Sequence, residues 1–168
     1  MAEQNVTPNP AGDERSWSDD TPEELLEQAQ ANAQALAIAT LAFLSKRGIS
    51  PEEWAESVGR SLSVSWDDPE PWEAGEFLDA MLTNLRSLGA TVVSSSLQPD
   101  RAEATVRNFP DPELCSLFGV DPKVAACIND IPAPIAAERS LRWSWSRRGD
   151  ETHIEVSRAT ALADGPRS

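Results

Sequence analysis

At Gly89 the apolar period of this chain changes from 3.6 to 2, and nothing else in the sequence constrains the fold as strongly. Upstream, Phe77, Leu78, Met81, Leu82, Leu85 and Leu88 recur at helical spacing. Downstream, Thr91–Leu97 reads as a strand, Gln98, Pro99 and Asp100 as a turn, and Arg101–Phe109 alternates Ala102, Ala104 and Val106 against charged neighbours. The alternation returns at Leu141, Trp143 and Trp145, turns at Gly149 and Asp150, and comes back through Ile154 and Val156. Hairpins make antiparallel ladders, so two of them predict one four-stranded antiparallel sheet.

The remaining segments read as helices. Thr21, Pro22, Glu23 and Glu24 open the first with an N-cap, a proline at the first position and a capping-box glutamate. It runs through Leu25, Leu26, Ala33, Leu36, Leu41 and Leu44 to Lys46, Arg47 and Gly48, where cations and glycine suit a C-terminus. About 25 residues at 1.5 Å each would span roughly 38 Å. Its Ala35–Leu44 stretch is apolar on nearly every side, and such a helix wants several neighbours. Either it is a central core helix, or Leu36, Leu41 and Leu44 form a seam between two copies. Ser50-Pro51-Glu52-Glu53 caps a second helix, and a break at Asp67–Pro71 leads to the third, from Trp72 to Gly89. Asp111-Pro112 and Asp121-Pro122 start two more, the latter broken by Pro132 and Pro134, with Ile135–Arg139 able to resume. The order is ααα-ββ-αα-ββ: an α+β fold with long N-terminal helices packed on one face of the sheet. Residues 1–20 read as a disordered acidic tail, 21–160 as a single domain and 161–168 as a second disordered tail.

Composition narrows the function. At roughly 100–200 residues per domain, 168 residues make one domain, and 40% apolar content fills one core. The net charge of −14 repels phosphate backbones and anionic lipid alike, so neither nucleic acid nor membrane is an expected partner. No apolar run approaches the roughly 18–20 residues of a membrane span, and the first twenty residues carry no signal-peptide pattern. A cytoplasmic location is therefore expected. Half of the excess negative charge lies between Glu52 and Glu76, where dipole-favoured acids on solvated helix faces account for it. Two cysteines and one histidine cannot supply the four ligands of a structural zinc, so no metal site is expected, and the sequence points to no particular cofactor.

Chemistry-bearing residues are few. Cys115 and Cys127 are either buried small hydrophobes or, beside a base such as His153, nucleophiles of a cysteine-dependent hydrolase. His153 alternates with Ile154 and Val156, on a face shared with Glu151 and Glu155. Trp143 and Trp145 share a face with Leu141, where indoles either fill core or wall an apolar ligand cavity. Trp143, Trp145, Leu82 and Cys127 form the expected ligand-binding set. No phosphate-cradling glycine loop, nucleophile elbow or paired-histidine zinc motif is present.

The order of long helices, hairpin, helices and hairpin, with Gly149 and Asp150 turning the last strand pair, resembles the 4-vinyl-reductase-type small-molecule-binding domain. That fold is shared with TRAPP trafficking subunits and is similar to the L-2-amino-thiazoline-4-carboxylate hydrolase-like proteins. The resemblance covers roughly residues 25–158. Such domains often place a cysteine four residues beyond the glycine of the last turn, where this chain has His153. The resemblance implies a homodimeric ligand-binding or scaffold domain holding an apolar or tetrapyrrole-like molecule between sheet and helices.

Overall fold

The computed structural model describes residues 20–66 and 71–159. The expected tails at 1–20 (Asp20 apart) and 161–168, and the Asp67–Glu70 part of the expected break, lie outside the described residues. Helix α1 spans Pro22–Lys46, capped as expected: Glu24 N–H donates to Thr21 Oγ1 at 3.2 Å and Thr21 N–H to the Glu24 carboxylate at 2.7 Å. Gly48 follows at φ +71°, the left-handed conformation that suits glycine just past a helix end. Helix α2 (Pro51–Ser63) passes into a 3₁₀ turn at Val64–Trp66. Helix α3 spans Ala74–Ser87 and starts later than expected, because Glu73 takes the capping role, its N–H donating to Glu76 at 3.2 Å. Trp72 is thereby left outside the helix, its ring packed on those of Trp66 and Phe77.

Strands β1 (Thr91–Leu97), β2 (Arg101–Arg107), β3 (Leu141–Arg148) and β4 (Glu151–Arg158) form one antiparallel sheet in the order β1-β2-β4-β3. The two hairpins join through β2 and β4, with Ala102 opposite Val156 and Ala104 opposite Ile154. That register puts Ala102, Ala104, Val106, Trp143, Ile154 and Val156 on one buried face, beneath the helices. Arg101, Glu103, His153 and Glu155 stand on the other.

Between the hairpins the expected pair of helices resolves into shorter pieces: α4 (Pro112–Phe118), α5 (Pro122–Ala125), a 3₁₀ turn (Ala126–Asp130) and α6 (Pro132–Ala137). Pro132 starts α6 rather than ending a helix, since the first turn needs no N–H from it. Helix α6 lies tight against α2, where a Cβ on Gly59 would collide with the Ile131 carbonyl oxygen and the Pro134 ring. Only glycine allows that approach.

The central-helix reading of α1 is overturned. It buries one stripe, Gln34, Ile38 and Leu41, while Leu36 on the opposite side is 72% exposed. Helices α4, α5 and α2 cover part of it, and Leu36 and Phe43 on the apolar stretch stay exposed. Gln34 ties the buried face down. Its Nε2 donates to the carbonyls of Leu88 (2.6 Å) and Asn108 (3.2 Å), and its Oε1 accepts from Asp111 N–H at 2.9 Å. One buried amide thus joins α1 to the end of α3, the end of β2 and the start of α4.

Candidate functional site

A cavity of about 360 Å³ opens between α3, the two 3₁₀ turns, α6 and β3. Its position follows from periodicity: Met81 and Leu85 lie one turn apart on the buried stripe of α3 and form one wall. Phe109, Ile128, Pro132, Ile135 and Trp143 are the other buried apolar members of the lining. Exposed Leu62, Ser65, Asn84 and Ser87 make a mixed rim. An apolar floor under a partly polar rim, with a volume in the range of small-molecule sites, is the usual form of a ligand pocket.

Polar contacts fix the walls. Trp143 Nε1 donates to the Asn129 carbonyl at 2.7 Å, so the buried indole has its partner. Trp66 is held by Arg139, whose guanidinium donates to the carbonyls of Trp66, Ser63 (3.2 Å) and Ile135 (2.9 Å). One cation thereby closes the C-terminal ends of α2 and α6 together. Rings continue behind the wall, Trp66 and Phe77 at 5.6 Å between centroids and Phe77 and Trp143 edge-on at 6.4 Å.

Of the expected ligand-binding residues, Trp143 lines this cavity. The other three do not. Leu82 is fully buried in the core, because it lies 100° around α3 from Met81, the residue that reaches the cavity. Cys127 is packed in the core cluster. Trp145 is half-buried further along β3 and donates through Nε1 to Asp130 Oδ1 at 2.6 Å. Asn129 and Arg139 had no sequence signature: each reads as an ordinary polar residue in or beside the helical pieces, and only the folded chain brings Asn129 to the cavity and Arg139 to the carbonyl of Trp66.

The catalytic candidates are not brought together. Cys115 and Cys127 both belong to the core cluster as free thiols. Burial pushes the Cys115 thiol up, partly offset by Arg147. Burial pushes Cys127 up to about 12, and the carboxylates of Glu52 and Asp130 add to it. A nucleophilic cysteine needs the opposite shift. His153 stands on the far face of the sheet, its Nδ1 3.0 Å from Thr105 Oγ1 and its Nε2 3.7 Å from Glu151. That outer face forms an open concavity of about 490 Å³. Arg101 meets Glu103 (2.8 Å) and Glu155 (3.1 Å) there, Arg148 lines it with no ion pair among the described residues, and beside it Arg107 meets Glu151 at 2.5 Å.

Among the described residues no group of three or more His, Cys, Asp or Glu gathers as a metal site, and no helix is long and apolar enough to cross a membrane. No family model, curated protein or solved structure matches this chain.

Proposed function

We propose that this protein is a non-enzymatic binding module that takes an apolar small molecule into the cavity between helices and sheet. The observation that carries this reading is the 360 Å³ cavity itself, with a buried apolar floor and a partly polar mouth. The resemblance to 4-vinyl-reductase-type domains, carried by element order, points the same way. A cysteine-dependent hydrolase is the weaker reading, since burial disfavours both thiolates and His153 lies across the sheet from them. Titration with the neutral dye N-phenyl-1-naphthylamine tests it. Saturable binding is expected, and Leu85→Trp, which fills the cavity, should abolish it while the circular dichroism spectrum stays native. Binding unaffected by Leu85→Trp, or no binding at all, rejects the cavity as the site.

The module is proposed to work as a homodimer through α1. Leu25, Leu36 and Phe43 recur at intervals of eleven and seven residues, which return to one side of a helix, and each is more than half exposed. Glu23, Glu24 and Glu27 stand at one end of α1 and Lys46 and Arg47 at the other. An antiparallel pairing about a two-fold axis lays the acidic end of each helix along the basic end of its partner, so a chain of net charge −14 meets its copy where their local charges attract. Sedimentation at micromolar concentration should show a dimer, and Leu36→Glu with Phe43→Glu should give a folded monomer of somewhat lower melting temperature, since association stabilises the native state. A native chain that sediments as a monomer refutes the seam.

A further inference from the structure

We infer that the free edge of β3 takes up an extended segment of another protein, one that alternates acidic and apolar residues, as a fifth strand of the sheet. The sheet has two edge strands, and they differ. Strand β1 carries no charged residue, and its register with β2 slips between Val92 and Ser94, an irregularity that blunts an edge. Strand β3 keeps an unbroken register with β4 from Leu141 to Arg148. Its backbone makes no hydrogen bond to another backbone group outside that pairing among the described residues. Alternate N–H and C=O groups along it are therefore open to a further strand.

Charge selects the partner. Asp and Glu outnumber Lys and Arg by 28 to 14 in this chain. Even so, Arg142, Arg147 and Arg148 of β3 have no ion pair among the described residues. Glu151 lies opposite Arg148 in the ladder, but its carboxylate meets Arg107 at 2.5 Å and His153 at 3.7 Å. Glu155, opposite Ser144, is engaged by Arg101 at 3.1 Å. Arg142, Ser144, Ser146 and Arg148 alternate along β3 and are all exposed. Acidic residues at every second position of an added strand would stand beside them, with no existing ion pair to break. The residues between would lie on the side of Trp143 and the half-buried Trp145, which suits apolar groups. A second copy fits badly, because antiparallel pairing of two β3 strands sets Arg142 of each against Arg147 of the other. A nucleic acid or an anionic bilayer spreads its charge well beyond one strand and would also meet the surrounding carboxylates.

The test uses the full chain and two end-blocked, fluorescein-labelled peptides of one composition. The first is a run of four Glu-Val repeats, and the second places four Glu before four Val. Fluorescence anisotropy should show saturable binding of the alternating peptide and several-fold weaker binding of the block peptide. Arg142→Gln with Arg148→Gln, both at exposed positions, should weaken the alternating peptide about tenfold, the scale of two exposed charge contacts. Hydrogen exchange of the complex should slow at the amides of β3 and stay unchanged at those of β1. No binding, or equal binding by the double variant, overturns the proposal. Equal binding of the two peptides, or binding without slower exchange in β3, shows that charge acts without an added strand and overturns it as well. Amides of β3 as protected as those of β2 in the unliganded chain would show the edge already covered, by this chain or its copy, and would refute an outside partner. The comparison of the two peptides needs no variant, so it stands even if the double substitution disturbs the fold.

Discussion

The two faces of the sheet are made from the same four strands and offer opposite things to a ligand. On the outer face Arg101 pairs with Glu103 and Glu155, and Glu151 with Arg107 and His153, and the concavity beside them is wide and polar. Anything docking there must first break exposed ion pairs that water already screens, and would gain little in return. On the inner face the helices leave a smaller space with an apolar floor and a partly polar rim. Burial of apolar surface is available there without breaking an ion pair. Binding potential therefore follows unburied apolar surface, and the larger, more charged concavity is the poorer candidate.

Trp143→Ala should open the widest gap between the faces. Emptying a buried large aromatic site costs about 3–5 kcal/mol, and chemical denaturation would measure it; a loss near zero would mean that the inner face is not the core. Gln34→Leu comes next. It orphans the Leu88 and Asn108 carbonyls and the Asp111 N–H together, and about 2–4 kcal/mol should be lost in the same assay. An unchanged midpoint would show that water replaces the amide.

High pH separates the faces by titration. Burial raises the folded Cys127 thiol from its ordinary 9.0 to about 12, so its contribution to stability is fully present below pH 9 and is lost as pH rises toward 12. Over pH 9–11 the fold should lose about 1.4 kcal/mol per pH unit from this group, with Cys115 adding in the same direction. The chain has no tyrosine. Cys127→Val should flatten the slope in urea melts run across it; a slope that survives the substitution would place the titration elsewhere. His153→Ala is expected to do least. Its exposed-face contacts with Thr105 and Glu151 should be worth under about 0.5 kcal/mol, and binding of N-phenyl-1-naphthylamine should be unchanged. A large loss of binding on that substitution would move the site to the outer face.

Much of the fold was legible in the residues. The switch from period 3.6 to period 2 at Gly89, the Thr21, Ser50, Asp111 and Asp121 caps with proline behind each, and the two alternating strand pairs determine element type and order, because these are local preferences of backbone and side chain. They also determine which strand face is buried, since alternation admits two choices and only one is apolar. Tertiary structure alone decided the rest. The join of β2 to β4 and the single covered face of α1 depend on contacts far apart in sequence. The cavity depends on them most. Whether Met81 or Leu82 reaches it is a matter of helix rotation. A binding site is made of the space that packing leaves, and no residue carries that space in its own propensity.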